Sequence, residues 1–384
     1  MNNPVALCAA LWAALWPVAA ARADNGPQAN NPKPVDLASV TEPVVERALS
    51  FLEANQQPDG GWLGYQKTDP AITALAAKCF IQSPRYGPQH PIVRRALEMV
   101  LSYAKADGGI YVEGQGLRNY QTSVCLMALA ATKDPNYRRR IRAAQEFLTR
   151  LQWDEGEGYE RSNSWYGGTG YGRNKRPDLS NTQMMLEALT QSGLPPEHPA
   201  YKKATVFISR CQMLSTTNDQ PFAAGSTDGG FVYTPANDGE SKAGTVTIDG
   251  RPRLRSYGSM TYAGFKSLLH ARVDRDDIRI QRAVDWIRRY YTLESNPNMP
   301  GAKSREGLYY YYYVFAKALE AWGEDEITDA AGRPHRWRED LCRELKKRQR
   351  ADGSFVNTAD RWMEGNPFLV TAYSVLAIQT VQSR

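Results

Sequence analysis

Histidine and cysteine are scarce in this chain, with four and five residues in 384. No two cysteines form a Cys-x-x-Cys pair, and no histidine sits at ligand spacing from a cysteine. The pattern of a zinc cluster is therefore absent, and no metal or other cofactor is expected. Cys79, Cys125, Cys211 and Cys342 fall in apolar stretches and read as small buried hydrophobes, their pairing left open by the sequence. A strong excess of one charge is missing too. The 47 basic and 41 acidic residues leave +6, and the basic ones are scattered along helical stretches such as Arg138-Arg139-Arg140. Nucleic-acid binding needs a basic face with recognition chemistry and is not expected. Beyond the first 23 residues no apolar run approaches the ~20 residues a membrane helix needs, so no transmembrane segment is expected after the leader.

The leader itself is present. An apolar run from Val5 to Ala21 ends in Ala21-Arg22-Ala23, the small-residue pattern of a signal-peptidase site. Residues 1–23 are predicted to be a signal peptide and the mature chain to be secreted or periplasmic. Loss of Arg22 would leave 6 − 1 = +5. Residues 24–40 are polar and rich in Pro and Asn, and read as a flexible linker. Residues 41–384 read as one domain, with an insertion at about 215–259 rich in Gly, Ser, Thr and Asp.

Within that domain one unit recurs six times: an amphipathic stretch, a glycine-rich turn closed by an apolar residue, and a second, more apolar stretch. The turns are Asp59-Gly60-Gly61-Trp62, Asp107-Gly108-Gly109-Ile110, Gly156-Glu157-Gly158-Tyr159, Asp228-Gly229-Gly230-Phe231, Asn296-Pro297-Asn298 and Asp352-Gly353-Ser354-Phe355. A straight solenoid needs polar end caps. The first and last units, with Thr73-Ala74-Leu75-Ala76 and Val375-Leu376-Ala377-Ile378, are as apolar as the middle ones. The sequence therefore predicts an all-α protein, an α/α toroid ((α/α)6 barrel) of six hairpins whose second helices form an inner wall.

The Gln-x-x-x-Gly-x-Trp pattern at Gln56, Gly60 and Trp62, repeated with an aromatic at Gln349, Gly353 and Phe355, resembles the repeat of squalene and oxidosqualene cyclases and of protein prenyltransferase β-subunits. The resemblance spans residues 41–384 and implies a terpenoid cyclase-like barrel with a central cavity. It does not by itself carry an activity. Cyclases of this family protonate an alkene from Asp-x-Asp-Asp-Thr at the start of an inner helix. The matching stretch is Asp178-Leu179-Ser180-Asn181-Thr182, with Ser180 where the family has its proton donor. Proton-initiated cyclisation is therefore expected to be lost. The prenyltransferase zinc site needs Asp, Cys and His together, yet His90, His198, His270 and His335 are isolated. No aspartate-rich magnesium motif occurs, and the Gly-Cys-Gly-Glu-Gln segment of the complement thioester domain is absent.

Aromatic residues carry the remaining signal, with 21 tyrosines and nine tryptophans. Many cluster near the turns that lead into the second helices. Expected ligand-binding residues are Tyr120, Trp165, Tyr166, Tyr171, Asn181, Tyr257, Tyr309, Tyr312 and Trp362. On a helix, Tyr309, Tyr312 and Tyr313 share a face and Tyr310 points away. Caging of a cationic group, stacking on sugar rings and plain interhelical packing all remain open. Trp165 to Gly172 reads as a rim loop that contacts a ligand or as a surface loop. The catalytic candidate is Asp178, for which helix N-capping, shared with Asn181, is the favoured role. Asp69, Glu306, Asp360 and Glu364 are further carboxylates expected near the rim. The chain is thus expected to bind an apolar or isoprenoid-like small molecule, a glycan, or a partner. An active squalene/hopene-type cyclase and a carbohydrate-active lyase or hydrolase are the alternatives, and whether the chain is an enzyme stays open.

Overall fold

The computed structural model describes residues 36–172, 175–248 and 250–383. The predicted signal peptide and linker residues 24–35 lie outside the described residues. The linker reading ran too far: Asp36 caps the first helix, its carboxylate accepting from the Ala38 amide at 3.1 Å, so residues 37–40 are already helical.

Among the described residues twelve α-helices follow as six hairpins: α1 (Leu37–Ala54), α2 (Pro70–Ile81), α3 (Pro91–Ser102), α4 (Arg118–Ala131), α5 (Arg138–Thr149), α6 (Leu179–Gln191), α7 (Pro199–Cys211), α8 (Gly258–His270), α9 (Ile278–Arg289), α10 (Leu308–Trp322), α11 (Trp337–Arg348) and α12 (Pro367–Val381). Odd-numbered helices bury one stripe; α5 hides only Ala144, Gln145, Phe147 and Leu148. Even-numbered helices are enclosed on all sides, and every residue of α2 is buried. Each even helix packs on the next, and α12 packs back on α2 while α1 meets α11 and α12. The ring is closed. Closure is what lets the first and last units stay apolar without caps.

The glutamine-glycine repeat is the device that joins hairpins. Gln56 Nε2 donates both to the Gly60 carbonyl within its own turn and to the Ile92 carbonyl of the next outer helix, each at 2.9 Å. Gln152, Gln212 and Gln349 do the same toward Ala200, Arg279 and Val44. Gly353 has φ +88°, and a Cβ there would sit 2.4 Å from the Arg47 carbonyl oxygen, so only glycine lets turn and helix approach. Thr73, Thr122, Thr182, Thr261 and Thr371 hydroxyls accept from the turn amides of Trp62, Ile110, Thr169, Phe231 and Phe355. Turn and inner helix are thus locked together.

The third turn departs from expectation. Its glutamine, Gln152, reaches the Gly167 carbonyl at 2.7 Å, so Gly167-Gly168-Thr169 is the structural turn and Gly156–Tyr159 is part of an excursion before it. The long connection before α8 ends at Tyr257, since Gly258 and Ser259 are already helical. It holds an exposed hairpin of β1 (Thr245–Ile248) and β2 (Arg251–Leu254), with Thr245 paired to Leu254. A shorter pair, β3 (Ile327–Thr328) and β4 (Pro334–His335), lies between α10 and α11. All four described cysteines are free and buried. No helix among the described residues is long and apolar enough to cross a membrane.

A charged layer crosses the core eight residues into three inner helices, at Lys78 (from Pro70), Glu187 (from Leu179) and Lys266 (from Gly258). Lys266 is ion-paired to Glu187 and both are fully buried. Tyr313 Oη and Gln191 Nε2 donate to the same carboxylate at 2.7 and 2.8 Å, and Lys78 Nζ donates to Gln191 Oε1. Burial pushes the Glu187 carboxyl up, but Lys266, Lys317 and Lys78 together hold it down at about 2. Burial, then Lys317, lowers Lys78 to about 7.

Candidate ligand cavity at the helix N-termini

The inner helices all begin at one end of the barrel, and there the core is hollow. The cavity has a volume of about 220 Å³. The third residue of every inner helix lines it: Ile72, Tyr120, Asn181, Met260, Tyr310 and Leu369. Six tyrosines and Trp362 make most of the wall, Tyr171, Tyr233, Tyr257 and Tyr373 joining Tyr120 and Tyr310. Two hydroxyl contacts tie helices across it that are not adjacent in the ring: Tyr120 Oη of α4 to Tyr373 Oη of α12 at 2.8 Å, and Ser180 Oγ of α6 to Tyr310 Oη of α10 at 3.1 Å. Gln183 Nε2 also donates to Tyr310 Oη at 2.8 Å.

Carboxylates surround the cavity because helix N-termini need acceptors. Asp69 Oδ1 accepts from the Ala71 and Ile72 amides at 2.8 and 3.1 Å. Asp178 Oδ1 accepts from the Asn181 amide and Oδ2 from Asn181 Nδ2, both at 2.8 Å. Glu364 Oε1 accepts from the Tyr310 amide at 2.7 Å and Oε2 from Asn357 Nδ2 at 2.6 Å. Burial raises all three, Asp178 to about 6 and Glu364 to about 7, with the donated hydrogen bonds opposing it. Asp69 and Glu364 line the cavity, whereas Asp178 is buried behind Asn181. Capping accounts for the Asn181 contacts of Asp178, and the Tyr233 hydroxyl on the cavity wall also hydrogen-bonds its carboxylate.

The mouth is formed by Tyr171 and Trp362, 36% and 41% exposed. Trp362 and Met363 are consecutive left-handed residues (φ 58° and 65°), a conformation that costs ~1–3 kcal/mol each. They are held there from both sides. Arg361 pairs with Glu306 at 2.8 Å, and Asn366 Nδ2 donates to the Leu63 and Gly64 carbonyls.

Of the residues singled out from sequence, Tyr120, Tyr171, Asn181, Tyr257 and Trp362 come together on this wall. Trp165 and Tyr166 do not. Trp165 packs on Trp153 and Tyr159, with centroids 5.1 and 5.6 Å apart, and Tyr166 Oη donates to Glu155. They belong to the displaced third turn and do not line the cavity. Tyr309 and Tyr312 are buried in packing: Tyr309 meets Phe355, and Tyr312 Oη donates to the Leu293 carbonyl. Tyr310 takes the cavity position instead, reversing the expected face of α10. Tyr233 and Tyr373 were also missed. Aligning the starts of the inner helices would have found Tyr310; no local signal marks Tyr233, which arrives on the long connection.

No protein-family model matches this chain, and no curated protein matches it. Solved structures do. A variant of the type II terpene cyclase MstE from Scytonema, holding geranylgeranyl dihydroxybenzoate, is similar over 90% of this chain and 98% of its own, with a TM-score of 0.55 and 13% identity. The fold shared with it is an α/α toroid. The same toroid is shared by an alpha-amylase from Clostridium perfringens (TM-score 0.56, 11% identity, 88% of this chain and 97% of that one). It is shared as well by a family 76 glycoside hydrolase from a bovine Bacteroides thetaiotaomicron strain (TM-score 0.53, 12% identity, 87% and 77%). Identities this low establish the architecture of the toroid and leave its chemistry to its own residues.

Proposed function

We propose that this chain is an exported binding barrel of the squalene cyclase and prenyltransferase repeat type. It takes a compact, largely apolar or isoprenoid-like molecule into the cavity and does not protonate it. The observation that carries this reading is Ser180, on the cavity wall against Tyr310, where the resemblance expects a proton donor. A serine hydroxyl is far too weak an acid to protonate a double bond. The neighbouring carboxyls do not replace it. Asp69, Asp178 and Glu364 accept hydrogen bonds at helix ends, whereas a catalytic acid must aim its O–H at the alkene. The leader at residues 1–23 supports export.

Size narrows the ligand. At ~10–15 Å³ per water-sized atom, the cavity admits on the order of 15 non-hydrogen atoms, which suits a short isoprenoid and not a triterpene. Calorimetry and native mass spectrometry with geraniol and farnesol test the reading. A one-to-one complex that returns unaltered ligand is expected, and Tyr310→Ala should weaken it about tenfold, the ~1.4 kcal/mol of a lost aromatic contact. Absence of any complex overturns the proposal. So does a cyclised product, above all one abolished by Asp178→Asn, or binding of maltooligosaccharides in place of the alcohols.

A further inference from the structure

We infer that the ligand of this cavity carries an amine, a positively charged head that donates hydrogen bonds, set among the tyrosines between Asp69, Asn181 and Glu364. This deepens the binding reading above and rests on it. Three observations meet here. First, no described residue lining the cavity is a Lys, Arg or His, while two carboxyls line it and a third lies directly behind. Second, the wall offers seven aromatic rings, whose faces attract a cation through their quadrupoles. Third, Asn181 Oδ1 is buried and has no hydrogen-bond partner among the described residues. Its own amide group is engaged by Asp178 and by the Tyr171 hydroxyl. An acceptor left unmet in a buried wall is costly, and a donor on the ligand would satisfy it.

The opposing influence has to be weighed. Six helix N-termini point at this end, an arrangement that by itself favours an anion. Five of the six have amides taken by side chains: Asp69 accepts from α2, Asp178 from α6, Asn296 from the Ser259 amide of α8, Glu364 from α10 and Asn366 from α12. The sixth, α4, has no side-chain cap, and its Asn119 amide donates to the Tyr171 carbonyl at 2.9 Å. At those five ends the anion sites are filled by the protein's own side chains, so a ligand carboxylate would meet mostly acceptors in place of donors. The nearest protein cations are engaged elsewhere. Arg361 stacks on Trp362 but pairs with Glu306, and Lys242 and Arg176, both near the Tyr233 ring, pair with Glu240, Arg176 also acting on Asp178 behind the wall. The raised Asp69 and Glu364 carboxyls are what buried acids without a countercharge look like, and an ammonium would supply it.

Three molecules with one carbon skeleton test this: geranylamine, geraniol and geranic acid, titrated into the purified protein by calorimetry at pH 8. The amine is expected to bind about tenfold or more tighter than the alcohol, with the acid weakest. The amine-to-alcohol ratio should fall about fivefold in Glu364→Gln. It should fall similarly in Asp69→Asn, whose side chain still caps α2 if the first variant folds poorly. Equal affinity for amine and alcohol, or a ratio unmoved in both variants, overturns the amine while leaving an apolar binding barrel standing. No binding of any of the three overturns the cavity as the binding site.

Discussion

The two ends of the barrel interior solve one problem in opposite ways. Eight residues into α2, α6 and α8 the core buries full charges and completes them internally: Lys266 meets Glu187, whose other contacts are Tyr313 and Gln191. At the helix N-termini the core buries carboxyls and tyrosines but leaves a hollow of about 220 Å³ and an unmet acceptor on Asn181. A closed polar layer can hold helices in register. An open one is suited to receiving something from outside.

That contrast can be broken experimentally, and the charged layer should give the largest effect. Glu187→Ala leaves Lys266 buried without its partner and should destabilise by about 3–5 kcal/mol in denaturant melts. Replacing the pair together, Glu187→Leu with Lys266→Met, should recover most of that loss, since the penalty comes from the stranded charge. A cost below ~1 kcal/mol for Glu187→Ala would show that the layer does not brace the ring.

At the hollow end the expected signature is a pH dependence. Burial raises Glu364 from 4.5 to about 7, so between those values the folded chain holds a proton that the unfolded chain has released. Stability from this group is therefore lost as pH rises from about 4.5 to 7. At ~1.36 kcal/mol per unit, wild type should lose about 3 kcal/mol relative to Glu364→Gln across that window, read from paired melts at both ends. The comparison with the variant matters because His270, lowered to about 4 mainly by burial, works in the opposite sense. A difference that stays constant with pH would place Glu364 outside the buried wall.

Smaller effects test the frame that both ends share. Gly353→Ala puts a Cβ 2.4 Å from the Arg47 carbonyl at φ +88° and should cost ~1–3 kcal/mol, loosening the join between last turn and first helix. Tyr310→Phe removes the hydroxyl that meets Ser180 and Gln183, and should cost about 1 kcal/mol in the same melts. A larger loss for Tyr310→Phe than for Glu187→Ala would invert the comparison, making the cavity wall the stabilising layer.

The repeat was readable because each of its parts obeys a local rule. A glutamine four residues before a glycine of positive φ marks the first and last turns, and a threonine that receives the turn amide recurs in five of the six hairpins. Cavity residues obey no such rule. Tyr309, Tyr310 and Tyr312 are chemically identical, and only the rotation of α10 against α8 and α12 sends Tyr310 inward. Trp165 and Tyr166 look like rim residues until Gln152 is seen to choose Gly167 as its turn. Asp178 and Asn181 were readable as a capping pair, since capping spans three residues of chain.

Alone, the sequence determined that six like hairpins must close on themselves, because apolar first and last units have no other way to be covered. It also determined that a serine stands where the resemblance expects an acid. Only the tertiary structure decided that six helix N-termini meet around a hollow, which tyrosines face it, and that its carboxyls are spent on backbone amides. The reason is the range of the forces involved. Turns and caps are settled by groups a few residues apart, whereas a cavity is the space left when distant helices pack as closely as their side chains allow.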